Sequence, residues 1–453
     1  MSKPITNHEL DALLVEAGYD RAHAAFARQV NTLGRDRLGL DLRYDGASIY
    51  WWLRGRNPEP QILLLIAAVL SRRTGRRVQV VDLGFAGPDA TLGVAYPRGV
   101  AEAVDVATRL WRYTVIRRSL ALGMSVTEEA STRAGWSWLF DPDDRTVARA
   151  GDGRVTAADV DVLRTIQRQF FDLDRRHGGG YARTFVAEFL HREVAPLLNG
   201  SYTDAVGREL FAAAAELTAQ LGFMAYDGGA MGLAQRAYVQ ALRLSKASGD
   251  RAFGAHVLAN MATQAVFMGR AGEAVQLSSA AIGAARGAAP GVVARIQTAA
   301  ASARANTGDG TGAYRALADA EAAMGRQPDN GPSWASYFSA AHHAGTAIRC
   351  FRDLGQPARA LGYADTALAI SAGGVRTEAL HTALLATVHA EDGDLEQATS
   401  LGRTAVSLAE RVRSHRVEDR IRTLLNALAR HRSDPRADEV ILRGEAVLAA
   451  GVA

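Results

Sequence analysis

Five stretches in the second half of the chain share one pattern, G-x4-A-x6-A. They are GAMGLAQRAYVQA (229–241), GRAGEAVQLSSAA (269–281), GDGTGAYRALADA (308–320), GQPARALGYADTA (355–367) and GDLEQATSLGRTA (393–405). Their leading glycines stand 40, 39, 47 and 38 residues apart. A near-even period of this size marks stacked supersecondary units, none of which can bury its apolar face alone. Alanines seven apart share one face of a helix, and their small side chains let a neighbouring helix approach closely. Each unit is therefore expected to be a helix, a glycine-led turn and a second helix. RAFGAHVLANMATQAVFM (251–268) is one such first helix. A pair over 205–242 opens the array with ELFAAAAELTAQLG as its first helix. A sixth pair, 416–431 and 436–450, lacks the glycine signature and suits a capping unit.

The rest of the composition agrees with helices. The chain of 453 residues is 48% apolar and only 7% aromatic, with 12 prolines. This length exceeds one ordinary core, so several domains are expected: 1–85, a helical linker over 86–200, and the array over 201–453. The fold class is all-α, with short strands expected near 77–85 (RVQVVDLGF) and in a hairpin near 136–150. There the turn residues DPDD (141–144) separate GWSWLF from RTVARA. The net charge of +4 announces no polycationic surface. A lone cysteine, Cys350, excludes an intrachain disulfide and a cysteine-based zinc site. The polar start MSKPITNHELDALL lacks the apolar core of a signal peptide, and the longest apolar run, Ile62 to Leu70, is nine residues. A cytoplasmic protein without a membrane segment is the expectation.

The N-terminal region carries a different signal, SIYWWLRGRNPEP (48–60). Stepping 100° per residue puts Ile49, Trp52 and Leu53 on one face and Ala47, Tyr50, Trp51 and Arg54 on the other. Gly55 suits a C′ position and Pro58 stops any continuation. An outward Tyr-Trp-Arg face on so short a helix calls for a partner. Helical periods over 7–17, 20–31 (with Asp20 as candidate N-cap) and 60–73 complete four short helices. Arg72, Arg73, Arg76 and Arg77 either cap the last of these or contact phosphate.

This arrangement, with its W-x-x-G-x-x-P ending and an alanine-rich second helix (Ala24, Ala25, Phe26, Ala27), resembles the helix-turn-helix of the Cro/repressor (XRE) class. In that class the third helix enters the major groove of double-stranded DNA. The resemblance implies base-edge contacts from Ser48, Tyr50, Trp51 and Arg54, and phosphate contacts from Gln29 and Arg56. Arg43 and Tyr44, just before the helix, would reach a groove or the backbone. The connection over 31–47 is long for this class, so either the second helix extends or the turn carries an insertion. Residues 1–85 hold 12 Lys+Arg and 9 Asp+Glu, a local net of 12 − 9 = +3.

The C-terminal array resembles the tetratricopeptide repeat, whose period is roughly 34 residues. Such arrays present a concave surface lined by first-helix side chains and bind peptides or proteins. Candidate lining residues are His256, Asn260, Gln264, Tyr337 and His342, while the adjacent His342 and His343 point apart and make no metal pair. The order of parts is similar to that of peptide-responsive regulators of Gram-positive bacteria and of helix-turn-helix/repeat regulators of actinomycete development and secondary metabolism. It implies a homodimer on an inverted-repeat operator with a peptide or small-molecule effector. A protein-interaction scaffold that binds no DNA is the alternative. RRHGGGY (175–181) lacks the flanking strand and Gly-Lys-Ser/Thr ending of a phosphate loop, and DPDD lacks the spacing of a calcium loop. No nucleophile elbow or His-Glu-x-x-His is present. A non-enzyme without metal or cofactor is expected.

Overall fold

The computed structural model describes residues 4–76, 78, 80–85, 92–326, 331–370 and 374–450. The described residues are all-α, without a named strand. Contacts divide the chain into two compact units: 1–92 with 113–127 and 230–233, and 93–112 with 128–229 and 234–453.

The first unit is built on α1 (His8–Glu16), α2 (His23–Leu38), α3 (Gly46–Trp52) and α4 (Pro60–Thr74). Their buried residues recur at helical spacing: Leu10, Leu13 and Leu14, then Phe26, Val30 and Leu33, then Ile62, Ile66 and Leu70. Burying each such side chain stabilises by about 1.5–3 kcal/mol. The second helix does extend, to Leu38, which shortens the connection to Gly39–Asp45. Leu33 keeps the apolar stripe going, and Gly34 lets Leu42 fold tightly over it. Gly39, at φ 65°, ends the helix in the left-handed region. The N-cap expected at Asp20 falls instead at Ala22, and Asp20 pairs with Arg21. Asp45 and Ser48 form a reciprocal capping box that starts α3. Asn7 caps α1 through Leu10 N and donates to Leu83 O.

Of the basic residues closing α4, Arg76 makes a two-pronged pair with Glu16 (2.7 and 2.6 Å) and Arg73 donates to Ala17 O. These two tie the helix to α1, while Arg77 lies outside the described residues.

Two strand expectations fail. Residues 77 and 79 lie outside the described residues, and Val80–Leu83 is a single 3-10 turn. The hairpin expected near 136–150 is also absent, because GWSWLF belongs to a helix, Ala130–Phe140, whose buried residues Ala130, Ala134 and Trp138 step by four. The alternation of aromatic residues there hid a helical period. Of the second half, Arg149 makes one isolated antiparallel bridge, to Tyr202. DPDD is an irregular link with a bend at Asp141, and it is held by charge: Asp144 pairs with buried Arg243 (2.8 Å) and Asp143 with Lys246 (3.4 Å).

In chain order the middle helices are α5 (Val100–Ile116), α6 (Arg118–Leu122), α7 (Ala130–Phe140), α8 (Ala157–His177), α9 (Gly179–Phe189) and α10 (Ala195–Leu198). The array follows. Its first helices are α11 (Asp204–Asp227), α13 (Arg251–Phe267), α15 (Pro290–Ala305), α17 (Ala340–Asp353), α20 (Val375–Asp392) and α22 (His415–Leu428). Their partners are α12 (Met231–Ser248), α14 (Ala271–Ala284), α16 (Gly310–Met324), the broken pair α18 (Pro357–Leu361) and α19 (Ala364–Leu368), α21 (Leu395–Ala409) and α23 (Pro435–Ala450).

The repeat pattern has a direct physical reading. Gly229, Gly269, Gly308, Gly355 and Gly393 all sit in the left-handed region, at φ 80°, 72°, 78°, 70° and 95°. Both alanines of every motif, from Ala234 and Ala241 to Ala398 and Ala405, are fully buried. Asp250, Asp309 and Asp394 cap the helices that follow them by accepting from the backbone N–H three residues on.

At Gly308 an added Cβ would meet nothing within 4 Å, so the cost of a side chain there is backbone strain alone. Gly308→Ala is expected to destabilise the array by about 1–2 kcal/mol, read as a lower urea midpoint, with Gly308→Asn costing less.

Candidate functional site

The first helices of the array face a cavity of about 1040 Å³. All six contribute to its lining, and α8 supplies a further wall with Phe171, Asp174 and Arg175. The irregular segment before α17 adds Trp334, Tyr337 and Phe338.

One wall is aromatic. The ring of His256 lies 5.0 Å from Trp334 and 5.8 Å from Phe253, and these last two are 5.2 Å apart. Tyr337 continues the wall, 6.3 Å from His256, 5.9 Å from Phe171 and 5.7 Å from His342. Of the five residues expected to line the concave face, His256, Asn260, Tyr337 and His342 do so. Gln264, one turn beyond Asn260, is buried and is not part of the lining.

A short relay fixes the chemistry of this wall. Arg295 donates to Asn260 Oδ1 (2.9 Å) and to Tyr337 Oη (3.1 Å). With its oxygen held by Arg295, the Asn260 amide presents Nδ2 to His256 Nε2 (3.0 Å). His256 Nε2 must therefore accept, and its proton resides on Nδ1. That Nδ1 is buried and has no partner among the described residues. Burial, reinforced by the Arg295 charge, pushes the His256 imidazolium down to about 3, so the ring is neutral. His342 is likewise lowered to about 3 by burial, with His381, Arg175, Arg295 and Arg376 adding to the effect. His343 points the other way, to Thr298 (2.9 Å) and Glu321 (3.3 Å).

Other lining groups are unsatisfied too. Tyr238 Oη, both polar atoms of the Gln220 amide and Arg349 Nε are buried without a hydrogen-bond partner among the described residues. The size of the cavity and its aromatic wall make it the candidate binding site.

Charge was the part that sequence reasoning missed. Arg376 is neutralised by Asp174 and Asp227, Arg416 by Asp227, and Arg164 by Glu209. Arg175, Arg295 and Arg349 also line the cavity, and among the described residues none has a carboxylate within ion-pair distance. No periodic signal links these arginines, since they come from α8, α15 and α17.

On the first unit, α3 divides as its periodicity requires. Ile49, Trp52 and Leu53 are buried, and Trp51 is 40% exposed. Arg54 lays its guanidinium 3.5 Å from the centre of the Tyr50 ring and donates to Tyr50 O. Gln29 and Arg56 are exposed. Arg43 is exposed and paired with Asp41 (3.2 Å), and the Ser48 hydroxyl is engaged in the capping box. Tyr44 differs from these. Its backbone is braced at both ends by Asn31, and its half-buried ring meets Trp52 edge-on at 5.0 Å.

A family model described as the SP15 N-terminal domain matches residues 10–86. The match falls on the four-helix unit just described. No curated protein matches the chain.

The neutral histidines set a pH dependence. Their folded-state values lie below the ordinary 6.5, so the unfolded chain binds more protons as pH falls through that value. Stability from this source is complete above pH 6.5 and is lost toward pH 3. Between pH 7.5 and 5.5 each histidine is expected to cost the array roughly 1 kcal/mol of unfolding free energy. The pH dependence of the urea midpoint measures this, and a His256→Asn, His342→Asn variant should show a flatter profile over that interval.

Proposed function

We propose that the chain is a DNA-binding transcription regulator in which the N-terminal four-helix unit reads double-stranded DNA and the helical array senses an effector. The observation that carries the DNA half is the division of α3. It anchors itself through Ile49, Trp52 and Leu53 and leaves Trp51 outward beside Tyr50 and Arg54, as a recognition helix must. The packing of α2 against α3 across a short link supports the helix-turn-helix reading. The effector half rests on the cavity, with its aromatic wall and its lining arginines. The stacked helix pairs support the tetratricopeptide-like reading, with their left-handed glycines and buried alanines.

In this reading two copies bind half-sites about one helical turn apart, and effector binding shifts the array between two states of different DNA affinity. Arg54 is the base reader, released from Tyr50 on meeting guanine. Arg56 and Gln29 contact phosphate. The Tyr44 side chain contributes by holding Trp52 in place.

The scaffold reading has one observation in its favour. Arg43, Ser48 and Arg54 all have local partners, and the surface around α3 is only modestly basic. Salt dependence separates the two readings. Selection of genomic fragments by the purified protein should yield an inverted-repeat site whose affinity falls steeply with salt, by roughly 10³-fold or more between 50 and 200 mM for several phosphate contacts. A Trp51→Ala, Arg54→Ala variant should bind that site at least about tenfold more weakly, with an unchanged melting temperature. Absence of any selected site, or an unaffected double variant, would favour the scaffold.

A further inference from the structure

The cavity combines two kinds of surface that a single ligand class satisfies. The aromatic wall of Phe253, Trp334, His256 and Tyr337 offers flat, largely apolar area. Beside that wall stand two cations without a carboxylate partner among the described residues. Arg295 uses its guanidinium on neutral oxygens alone, those of Tyr337 and Asn260. Arg175 rests 5.8 Å from the Phe171 ring, which itself touches Tyr337. Both guanidiniums therefore lie around the Tyr337–Phe171 pair, and both are half-buried.

We infer that the array binds a small planar organic anion: an aromatic ring bearing a carboxylate or phosphate, stacked on the aromatic wall with its oxyanion held between Arg175 and Arg295. A guanidinium prefers a fork of two oxyanion oxygens to the single neutral oxygens it now holds. A neutral ligand would leave both charges uncompensated in a partly desolvated site, which is costly. The Asn260 amide is occupied at both ends by Arg295 and His256, so it is not free to hold an extended peptide backbone.

The inference rests on the array being the sensing half, yet it can be tested on the full chain without DNA, so its failure and that of operator binding are separately visible. Isothermal titration would compare naphthoate and naphthyl phosphate with the neutral naphthamide and with inorganic phosphate alone. At least one aromatic anion is expected to bind about tenfold or more tighter than the amide and than inorganic phosphate. Arg295→Gln should abolish that preference and Arg295→Lys should restore part of it. Arg175→Gln serves as the second variant and should weaken the same preference, because its side chain carries no hydrogen bond among the described residues. Trp334→Ala should weaken anion and amide alike. Equal affinity for the amide, equal affinity for inorganic phosphate, or no binding by either aromatic anion would overturn the inference.

Discussion

Arg376 donates to both oxygens of Asp174 at 2.8 Å and to Asp227 at 3.3 Å, and the packing of the array turns on this buried cluster. Asp227 ends α11 and also accepts from Ser414 Oγ (2.8 Å) and from the backbone N–H of Gly179 (3.0 Å). The cluster thereby joins the first helix of the array to the beginnings of α20 and α22, and joins all three to the end of α8. Burial pushes the Asp174 carboxyl up, and the Arg376 guanidinium opposes it. The net worth of such a cluster is small beside its power to specify, because removing one member strands a buried charge at a cost of about 3–5 kcal/mol. What it specifies is that α8 lies along the first helices and supplies a wall of the cavity.

That role accounts for the glycines of RRHGGGY. A Cβ on Gly178 would come 2.5 Å from Arg413 O, and one on Gly179 would come 2.6 Å from Met224 O. Gly178 also stands at φ 84°. The run ends one helix and starts the next where two other segments approach too closely for a side chain. Its meaning is tertiary, which is why the local sequence distinguished only a terminator from a phosphate loop.

Regular features of the array were legible because each has a local cause. A left-handed turn demands glycine, and close helix pairs demand alanine. The cavity wall was less legible because it occupies the place where the repeat is irregular. The spacing of 47 residues between Gly308 and Gly355 exceeds its neighbours. Part of the surplus is the segment 331–339, which carries Trp334 and Tyr337 into the cavity. An insertion that interrupts a structural period and brings aromatic residues with it was the available sign of a binding surface. The arginines gave no comparable sign. Whether Arg295 meets a carboxylate or an amide depends on helices far apart in sequence. The same limit applies in the N-terminal unit. Periodicity alone sorted Trp51 from Trp52, but the inward packing of Tyr44 depends on Asn31, thirteen residues earlier.

The groups left unsatisfied around the cavity also bear on the energetics of stacking. His256 Nδ1, Tyr238 Oη and the Gln220 amide come from α13, α12 and α11, and each buried polar group without a partner costs about 1–3 kcal/mol. Repeat arrays draw their stability from interfaces between neighbouring units, so these costs fall on the units that surround the cavity. A ligand held in the cavity binds the stacked state and not the unfolded chain, and mass action adds its binding free energy to the stability of that stacking. The Asp174–Arg376–Asp227 cluster fixes which helices meet, while Arg175 and Arg295 line the cavity between them without a carboxylate partner among the described residues. A site that is specified in geometry but unsatisfied in chemistry is the arrangement through which occupancy can change the stability of a helical array.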